Sequence, residues 1–128
     1  MHTPIPMITV VDDDASVARA LQRLIRSAGY VVETFASAGA FLGSMPPTRT
    51  ACLVLDIYLE GMNGFELQEQ MAADRLAIPI IFMTAHDDAT TRERIRRSAT
   101  AGYLVKPFDG QVLLDAILRA AGPAVVEA

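Results

Sequence analysis

Four short apolar segments of the sequence are each followed by side chains that could take part in chemistry. Three consecutive aspartates, Asp12–Asp14, follow the first segment, and Asp56 closes a second. Thr84 ends a third, and Lys106 ends a fourth. If these segments are neighbouring strands of one parallel sheet, the acids, the hydroxyl and the lysine converge on one cleft at its carboxyl edge.

Clustered carboxylates need a cation, because two of them about 4 Å apart repel by roughly 4 kcal/mol at an effective dielectric constant of about 20. Hard oxygen ligands suit Mg²⁺, which commonly combines one or two carboxylates with phosphate oxygens. Lys106 can neutralise one charge of the cluster but not all of it. An aspartate beside Mg²⁺, a hydroxyl and a lysine is poised to accept a phosphoryl group, because the metal and the lysine hold the developing oxygen charge.

The elements that would position these groups alternate along the chain. Apolar runs typical of strands buried on both faces alternate with segments of helical periodicity, and a loop surrounds residues 46–47. This pattern predicts an α/β fold, a flavodoxin-like (βα)5 doubly wound parallel sheet of strand order 2-1-3-4-5. The predicted strands are 7–11, 30–35, 51–55, 78–83 and 102–105, and the predicted helices are 16–28, 38–44, 65–73, 88–99 and 110–121.

Five short motifs at the predicted strand ends and loops carry a family resemblance. They are VVDDD at 10–14, LVLD at 53–56, GMNG at 61–64, MTA at 83–85 and GYLVKPF at 102–108. With these motifs in this order, residues 7–121 resemble the receiver domain of two-component response regulators, the FixJ-like branch in particular. Each motif alone is weak, whereas five in order form a specific signal.

The resemblance implies a role for each matching residue. Asp56 matches the phospho-accepting aspartate of the family, and Lys106 matches the lysine that pairs with the phosphoryl group. Thr84 matches the hydroxyl that moves to bond a phosphoryl oxygen, and Tyr103 matches the aromatic switch residue that turns inward when it does. The bond between Lys106 and Pro107 is often cis in the family.

The resemblance also implies a Mg²⁺ or Mn²⁺ site. Asp13 matches the direct metal ligand, Asp12 the neighbouring acid that acts through water, and Asp56 contributes as well. The backbone carbonyl of Tyr58 matches the remaining protein ligand. Asp14 is either a further metal ligand or the N-cap of the first helix, and capping preferences favour the cap.

The sequence departs from the family pattern around the acceptor. Leu59 and Glu60 stand where the family often has Met-Pro, which predicts a less rigid loop. Tyr58 and His86 each stand two residues after a site residue, at positions that flank the entry path of water and phosphodonor in the family. We expect the two side chains to shield the phosphoryl group and set its lifetime, although His86 is equally consistent with a solvent-facing loop residue.

Length and charge limit the other possibilities. The chain has 128 residues, enough for one domain, a net charge of −4 and one cysteine, so no internal disulfide can form. An acidic balance does not favour nucleic acid as the main partner, and no apolar run is long enough to cross a membrane. We expect a cytoplasmic receiver at residues 1–121, followed at 122–128 by a tail or the start of a linker.

The expected partner is a sensor histidine kinase or a phosphotransfer protein, by family analogy.

The last two helices show unusual faces. In the last helix, Val112 is assigned to the side that packs on the core. Leu114 and Leu118 form an apolar pair on another side, which is either scattered surface or a homodimer interface. The arginines of the fourth helix, residues 92, 94, 96 and 97, indicate a solvated face or a dock for an acidic partner rather than a nucleic-acid patch. That helix has few large apolar residues beyond Ile95, which predicts weak packing.

Two other functions compete with a phosphorylated receiver, which is a signalling switch rather than an enzyme. The spacing of Asp12, Asp14 and Ser16 loosely mimics the first motif of a haloacid dehalogenase-type phosphatase, whose nucleophile lies on strand 1. That enzyme needs later acids for which Asp87 and Asp88 are poor substitutes. The second alternative is a receiver-shaped interaction module that is never phosphorylated; such a module would be expected to have lost site residues, and none is missing.

Overall fold

The fold is seen in a computed structural model, which describes residues 5–44 and 49–124. The loop predicted around residues 46–47 and the last four residues of the predicted tail lie outside the described part. None of the helices in the described ranges combines the length and hydropathy that a membrane crossing requires.

Five parallel strands form one sheet in the order β2-β1-β3-β4-β5, which confirms the predicted flavodoxin-like topology. Two strands reach one residue further than predicted, so that β3 ends on Asp56 and β4 on Thr84. Both residues therefore belong to the ordered edge of the sheet rather than to the loops behind it. The strands are β1 Met7–Val11, β2 Val31–Phe35, β3 Thr50–Asp56, β4 Ile80–Thr84 and β5 Gly102–Val105.

Each of the five helices starts after a polar side chain that accepts a hydrogen bond from the first turn, as helix capping requires. The cap of α4 is Asp88, so this helix starts one residue later than predicted and ends two residues earlier. Gly29, with φ at 98°, follows the end of α1 in the left-handed conformation that glycine adopts readily. The helices are α1 Ala15–Ser27, α2 Ala38–Leu42, α3 Gly64–Ala73, α4 Ala89–Arg97 and α5 Gly110–Ala121.

The sheet separates two apolar cores, because successive strand residues point to opposite faces. In β4, for example, Ile81 and Met83 face one core while Ile80 and Phe82 face the other. Helices α1 and α5 cover the first core, and α2, α3 and α4 cover the second. Cys52 lies fully buried in the first core, as predicted.

The orientation of α5 differs from the expectation. Val112 was assigned to the core stripe, but it is 46% exposed, while Leu114 packs against the core. The buried stripe begins at Leu113, and a single residue step turns the helix by about 100° and carries Val112 to the outer side. Of the leucine pair considered as an interface, only Leu118 is largely exposed.

Helix α4 is attached to the domain by few buried residues. Thr91 and Ile95, four residues apart on one face, are its only buried members. Arg94 adds a cation–π contact, with its guanidinium 4.3 Å from the centre of the Phe65 ring. This confirms the weak packing predicted for α4.

Candidate functional site

The carboxyl edge of the sheet brings together residues from four strand ends. Asp12 follows β1, Asp56 and Thr84 are the last residues of β3 and β4, and Lys106 follows β5. Asp56 pairs in register with Met83, and Thr84 with Val105, so adjacent strands end at nearly the same level. The predicted convergence of these groups is therefore confirmed.

Lys106 lies between two buried carboxylates. Its Nζ donates to Asp12 Oδ2 at 2.8 Å and to Asp56 Oδ2 at 3.0 Å. The side chains are 21% exposed for Lys106, 0% for Asp12 and 10% for Asp56. Charge-assisted hydrogen bonds of this kind hold the partly buried ammonium group firmly. The peptide bond between Lys106 and Pro107 is cis.

The two ionic partners titrate abnormally for different reasons. Burial raises the pKa of Asp56 above its usual range, although the hydrogen bond and charge of Lys106 oppose that rise. Burial alone would lower the pKa of Lys106, but the hydrogen bonds to Asp12 and Asp56 outweigh it and raise the pKa. The site thus keeps its cation charged while the ionised form of Asp56 is disfavoured.

Three carboxylates form a cluster that could hold a metal ion. Asp12, Asp13 and Asp56 each offer one oxygen, and these atoms lie within 4.8 Å of one another. Asp12 and Asp56 are buried, whereas Asp13 is exposed at the rim. Three hard oxygen donors with one face open to solvent fit Mg²⁺, which keeps water in its coordination shell.

Asp14 caps helix α1 and does not join the acidic cluster. Its Oδ1 accepts from the backbone N–H groups of Ser16 at 2.9 Å and Val17 at 3.2 Å at the start of α1. These bonds lower the pKa of Asp14, as expected for a helix cap. The N-cap interpretation is confirmed, and Asp14 is not a member of the acidic cluster.

The loop after β3 is held against Asp56 by a close backbone contact. A Cβ on Gly64 would lie 2.9 Å from the Asp56 carbonyl oxygen and from the Ile57 Cα, so only glycine fits here. The Gly64 N–H donates to the Ile57 carbonyl at 2.8 Å, and Asn63 and Glu66 form a capping box at the start of α3. The backbone N–H of Tyr58 can then donate to Asp56 Oδ1 at 3.0 Å.

Thr84 and Tyr103 each have a hydrogen-bond partner outside the acidic cluster. Thr84 is fully buried; its Oγ1 accepts from the His86 N–H at 2.9 Å, and its hydroxyl donates to the His86 carbonyl at 3.3 Å. The Tyr103 hydroxyl donates to Asp87 Oδ1 at 2.9 Å. Burial, together with this bond to Asp87, raises the pKa of Tyr103 to about 12.

Tyr58 and His86 stand side by side at the rim of the site. Their ring centres are 4.9 Å apart in an edge-to-face arrangement. Tyr58 is 46% exposed, and its hydroxyl shares a hydrogen bond of 2.8 Å with the hydroxyl of Thr91 in the first turn of α4. The two flanking side chains are therefore in mutual contact.

The arginines of α4 are matched by acids. Each one has a carboxylate within 3.6 Å, which gives the pairs Arg92–Asp87, Arg94–Glu69, Arg96–Glu93 and Arg97–Glu93. Such exposed pairs add little stability, but the three acids offset most of the positive charge of the four arginines. A nucleic-acid patch on this helix has correspondingly little support.

The sequence matches the response regulator receiver domain family over residues 8–118, which is most of the chain. The chain belongs to this family. It is the receiver domain of a two-component response regulator, with relatives in the FixJ-like branch.

Three similar proteins illustrate how the receiver domain relates to longer regulators. Nodulation protein W of Bradyrhizobium diazoefficiens is 42% identical over 89% of this chain and 50% of its own length. Transcriptional regulatory protein FixJ of the same organism is 34% identical over 91% of this chain and 58% of its own. The solved response regulator StyR is 47% identical with a TM-score of 0.84, over 91% of this chain and 59% of that one. The chain thus spans about half the length of the curated relatives it matches.

The sequence analysis did not identify two residues that contact Tyr103, the expected switch residue, and Tyr58 at the rim of the site. Asp87 was considered only as a poor phosphatase acid, yet it accepts the Tyr103 hydroxyl. Thr91 was not considered, yet it bonds Tyr58. The signal for Thr91 was its spacing, because a residue four positions before Ile95 shares the inward face of α4.

Proposed function

We propose that this receiver domain takes a phosphoryl group onto Asp56 from the phosphohistidine of a sensor histidine kinase or phosphotransfer protein. The supporting observation is the ammonium group of Lys106, bonded to both buried carboxylates. Of the two carboxylates that Lys106 bonds, the Asp12 side chain is completely buried and that of Asp56 is 10% exposed, so Asp56 is the one that a donor can reach. A carboxylate oxygen of Asp56 attacks phosphorus while the bond from phosphorus to the donor breaks.

Mg²⁺ or Mn²⁺ would be held by Asp12, Asp13 and Asp56, with the Tyr58 backbone carbonyl as a further ligand. When bound, the metal neutralises carboxylate charge and balances the charge on the transferring phosphoryl oxygens. Lys106 holds the acceptor carboxylate in place and keeps a positive charge beside it throughout.

Phosphorylation would then act as a switch. It adds about −1.5 to −2 charge, and Lys106 and Thr84 each gain a charge-assisted hydrogen bond of roughly 1.5–3 kcal/mol. To make its bond, Thr84 must leave the backbone of His86, and the slot it vacates can take the Tyr103 ring. Tyr103 would then give up Asp87, and the face formed by α4, β5 and α5 would change shape to control a partner or an output domain.

Tyr58 and His86 would set how long the phosphoryl group survives. Their rings are in contact at the rim, where water and the phosphodonor must pass. Replacing both by alanine should speed autodephosphorylation by removing this screen. A time course of phosphoryl loss tests this, and an unchanged rate in the double variant would defeat the idea.

The proposed partners are a histidine kinase or phosphotransfer protein in the cytoplasm, with no direct binding of nucleic acid or membrane by this domain. A homodimer through Leu114 and Leu118 of α5 stays a prediction. Because Leu114 packs against the core, Leu118 would provide most of the exposed apolar contact.

Intact-mass spectrometry after incubation with acetyl phosphate and Mg²⁺ tests the proposal. The protein should gain one base-labile phosphoryl group, which Asp56→Asn and chelation of the metal both abolish. Asp74→Asn, a change at the exposed end of α3, serves as the matched control and should keep the adduct.

The same experiment decides between the alternatives. A phosphatase with its nucleophile on β1 would lose the adduct in Asp12→Asn and keep it in Asp56→Asn. A receiver that is never phosphorylated would bind Mg²⁺ yet form no adduct with any donor. Either result would refute phosphorylation of Asp56.

A further inference from the structure

A single hydrogen bond ties the loop of the phospho-acceptor to helix α4. The hydroxyls of Tyr58 and Thr91 lie 2.8 Å apart, although the residues are separated by 33 positions in sequence. At its other end, Tyr58 donates its backbone N–H to Asp56 Oδ1 at 3.0 Å. One residue therefore contacts the acceptor carboxylate through its backbone and α4 through its side chain.

The buried hydroxyl of Thr91 and the exposed ring of Tyr58 need this hydrogen bond for different reasons. Thr91 is only 5% exposed, on the inward face of α4, and a buried hydroxyl needs a hydrogen-bond partner. Tyr58 is 46% exposed, so burial alone does not fix its ring. The ring is fixed instead by directional contacts, namely the bond to Thr91 and the edge-to-face contact with His86 at 4.9 Å.

The first turn of α4 in turn holds Thr91 firmly. The carboxylate of Asp88 caps the helix and accepts the Thr91 backbone N–H at 2.7 Å. This bond contributes most to lowering the pKa of Asp88. The hydroxyl of Thr91 is thus presented from a capped helical turn rather than from a free loop.

We propose that Thr91 is a positioning residue that holds the Tyr58 ring over the entrance to Asp56 and so restrains phosphoryl turnover. This role rests on the proposed phosphorylation of Asp56. When the bond is absent, the ring swings into solvent and the entrance widens for both phosphodonor and water. A partner that displaces α4 would break the same bond and thereby change access to the acceptor.

Hydroxyl deletions test the bond with little change in shape. Tyr58→Phe and Thr91→Val each remove one hydroxyl, and the double variant removes both. Thr91→Ser keeps the hydroxyl. Thr90→Val is the matched control, because it makes the same substitution at the exposed neighbouring position of α4.

The rate of phosphoryl loss from Asp56 is the first readout. Tyr58→Phe, Thr91→Val and the double variant should all lose the group faster by the same factor, about two- to tenfold from the net worth of one hydrogen bond. Thr91→Ser and Thr90→Val should match the parent protein. If the effects of the two single changes multiply in the double variant, the residues act independently and the proposal is overturned.

A second readout does not depend on phosphorylation. In protein labelled with 3-fluorotyrosine, the ¹⁹F resonance of Tyr58, assigned by its loss in Tyr58→Phe, should shift in Thr91→Val but not in Thr90→Val. An unshifted resonance would refute the positioning role even if Asp56 is phosphorylated. If the resonance shifts but the protein never accepts a phosphoryl group, the contact between Tyr58 and Thr91 exists, whereas the proposed function is refuted. The role of Thr91 in phosphoryl turnover is then overturned as well.

Discussion

Replacing Lys106 by methionine tests directly whether its positive charge is needed to balance the buried carboxylates. Methionine keeps a long apolar side chain but removes the ammonium group that donates at 2.8 Å to Asp12 and at 3.0 Å to Asp56. Two buried carboxylates then face each other without a cation. Lys106 is the only lysine in the sequence, so no other lysine can take its place.

The expected cost follows from burial. Removing one member of a buried ion pair typically destabilises a protein by about 3–5 kcal/mol, because the remaining charge is left uncompensated. The 21% exposure of the Lys106 side chain allows some hydration, which puts the expected loss at the lower end, about 3 kcal/mol. The loss should shrink at mildly acidic pH, because a carboxyl that takes up a proton no longer needs the cation.

Urea unfolding followed by circular dichroism measures this loss, first in a chelator and then with Mg²⁺. A metal present at about 100 times its dissociation constant adds roughly 2.7 kcal/mol, so Mg²⁺ should restore much of the stability of Lys106→Met. Arg23→Met, which removes an exposed cation of α1, is the control and should stay within about 0.5 kcal/mol of the parent protein. A loss below about 1 kcal/mol in chelator, or a Lys106→Met protein whose free energy of unfolding Mg²⁺ leaves unchanged, would refute the reasoning.

Three further predictions concern titration. Burial raises the pKa of Asp56, so its ionisation opposes folding. Asp56→Asn should therefore increase the free energy of unfolding at neutral pH in chelator, by an amount that shrinks as the pH falls below the raised pKa and vanishes near the ordinary value of 3.8. Burial raises the pKa of Cys52 to about 12, so native protein should resist iodoacetamide at neutral pH and react only when urea unfolds it, as mass spectrometry would reveal. Tyr103→Phe should abolish one ultraviolet-detected phenol titration near 12, whereas Asp87→Ala should move the pKa of Tyr103 from about 12 only part of the way towards its ordinary 10.0, because burial is the larger cause of the rise.

The sheet and the position of the site were predictable because they depend on pattern rather than on detailed packing. Continuous apolar runs fixed the strands, and parallel strands that end at one edge bring Asp12, Asp56 and Lys106 together whatever the loops do. The cap of α1 was likewise predictable, because Asp14 acts on neighbours two and three residues away. Local rules are sufficient for such contacts.

The contacts around the rim were not predictable for the opposite reason. The bond between Tyr58 and Thr91 spans 33 positions, and the one between Tyr103 and Asp87 spans 16. Each depends on the side-chain conformation that tertiary packing selects. Val112 was wrongly assigned to the core because an apolar residue at the edge of the buried face of a helix can point inward or outward. How α5 packs on the sheet determines which of the two occurs.

The sparse attachment of α4 bears on how this domain can diverge. A substitution costs folding stability mainly where it disturbs buried packing, and in α4 this applies chiefly to Thr91 and Ile95. The exposed positions between them can change sequence at little cost to the fold. After gene duplication, two copies could therefore acquire different surfaces on this helix while keeping the same acidic cluster and lysine at the carboxyl edge of the sheet.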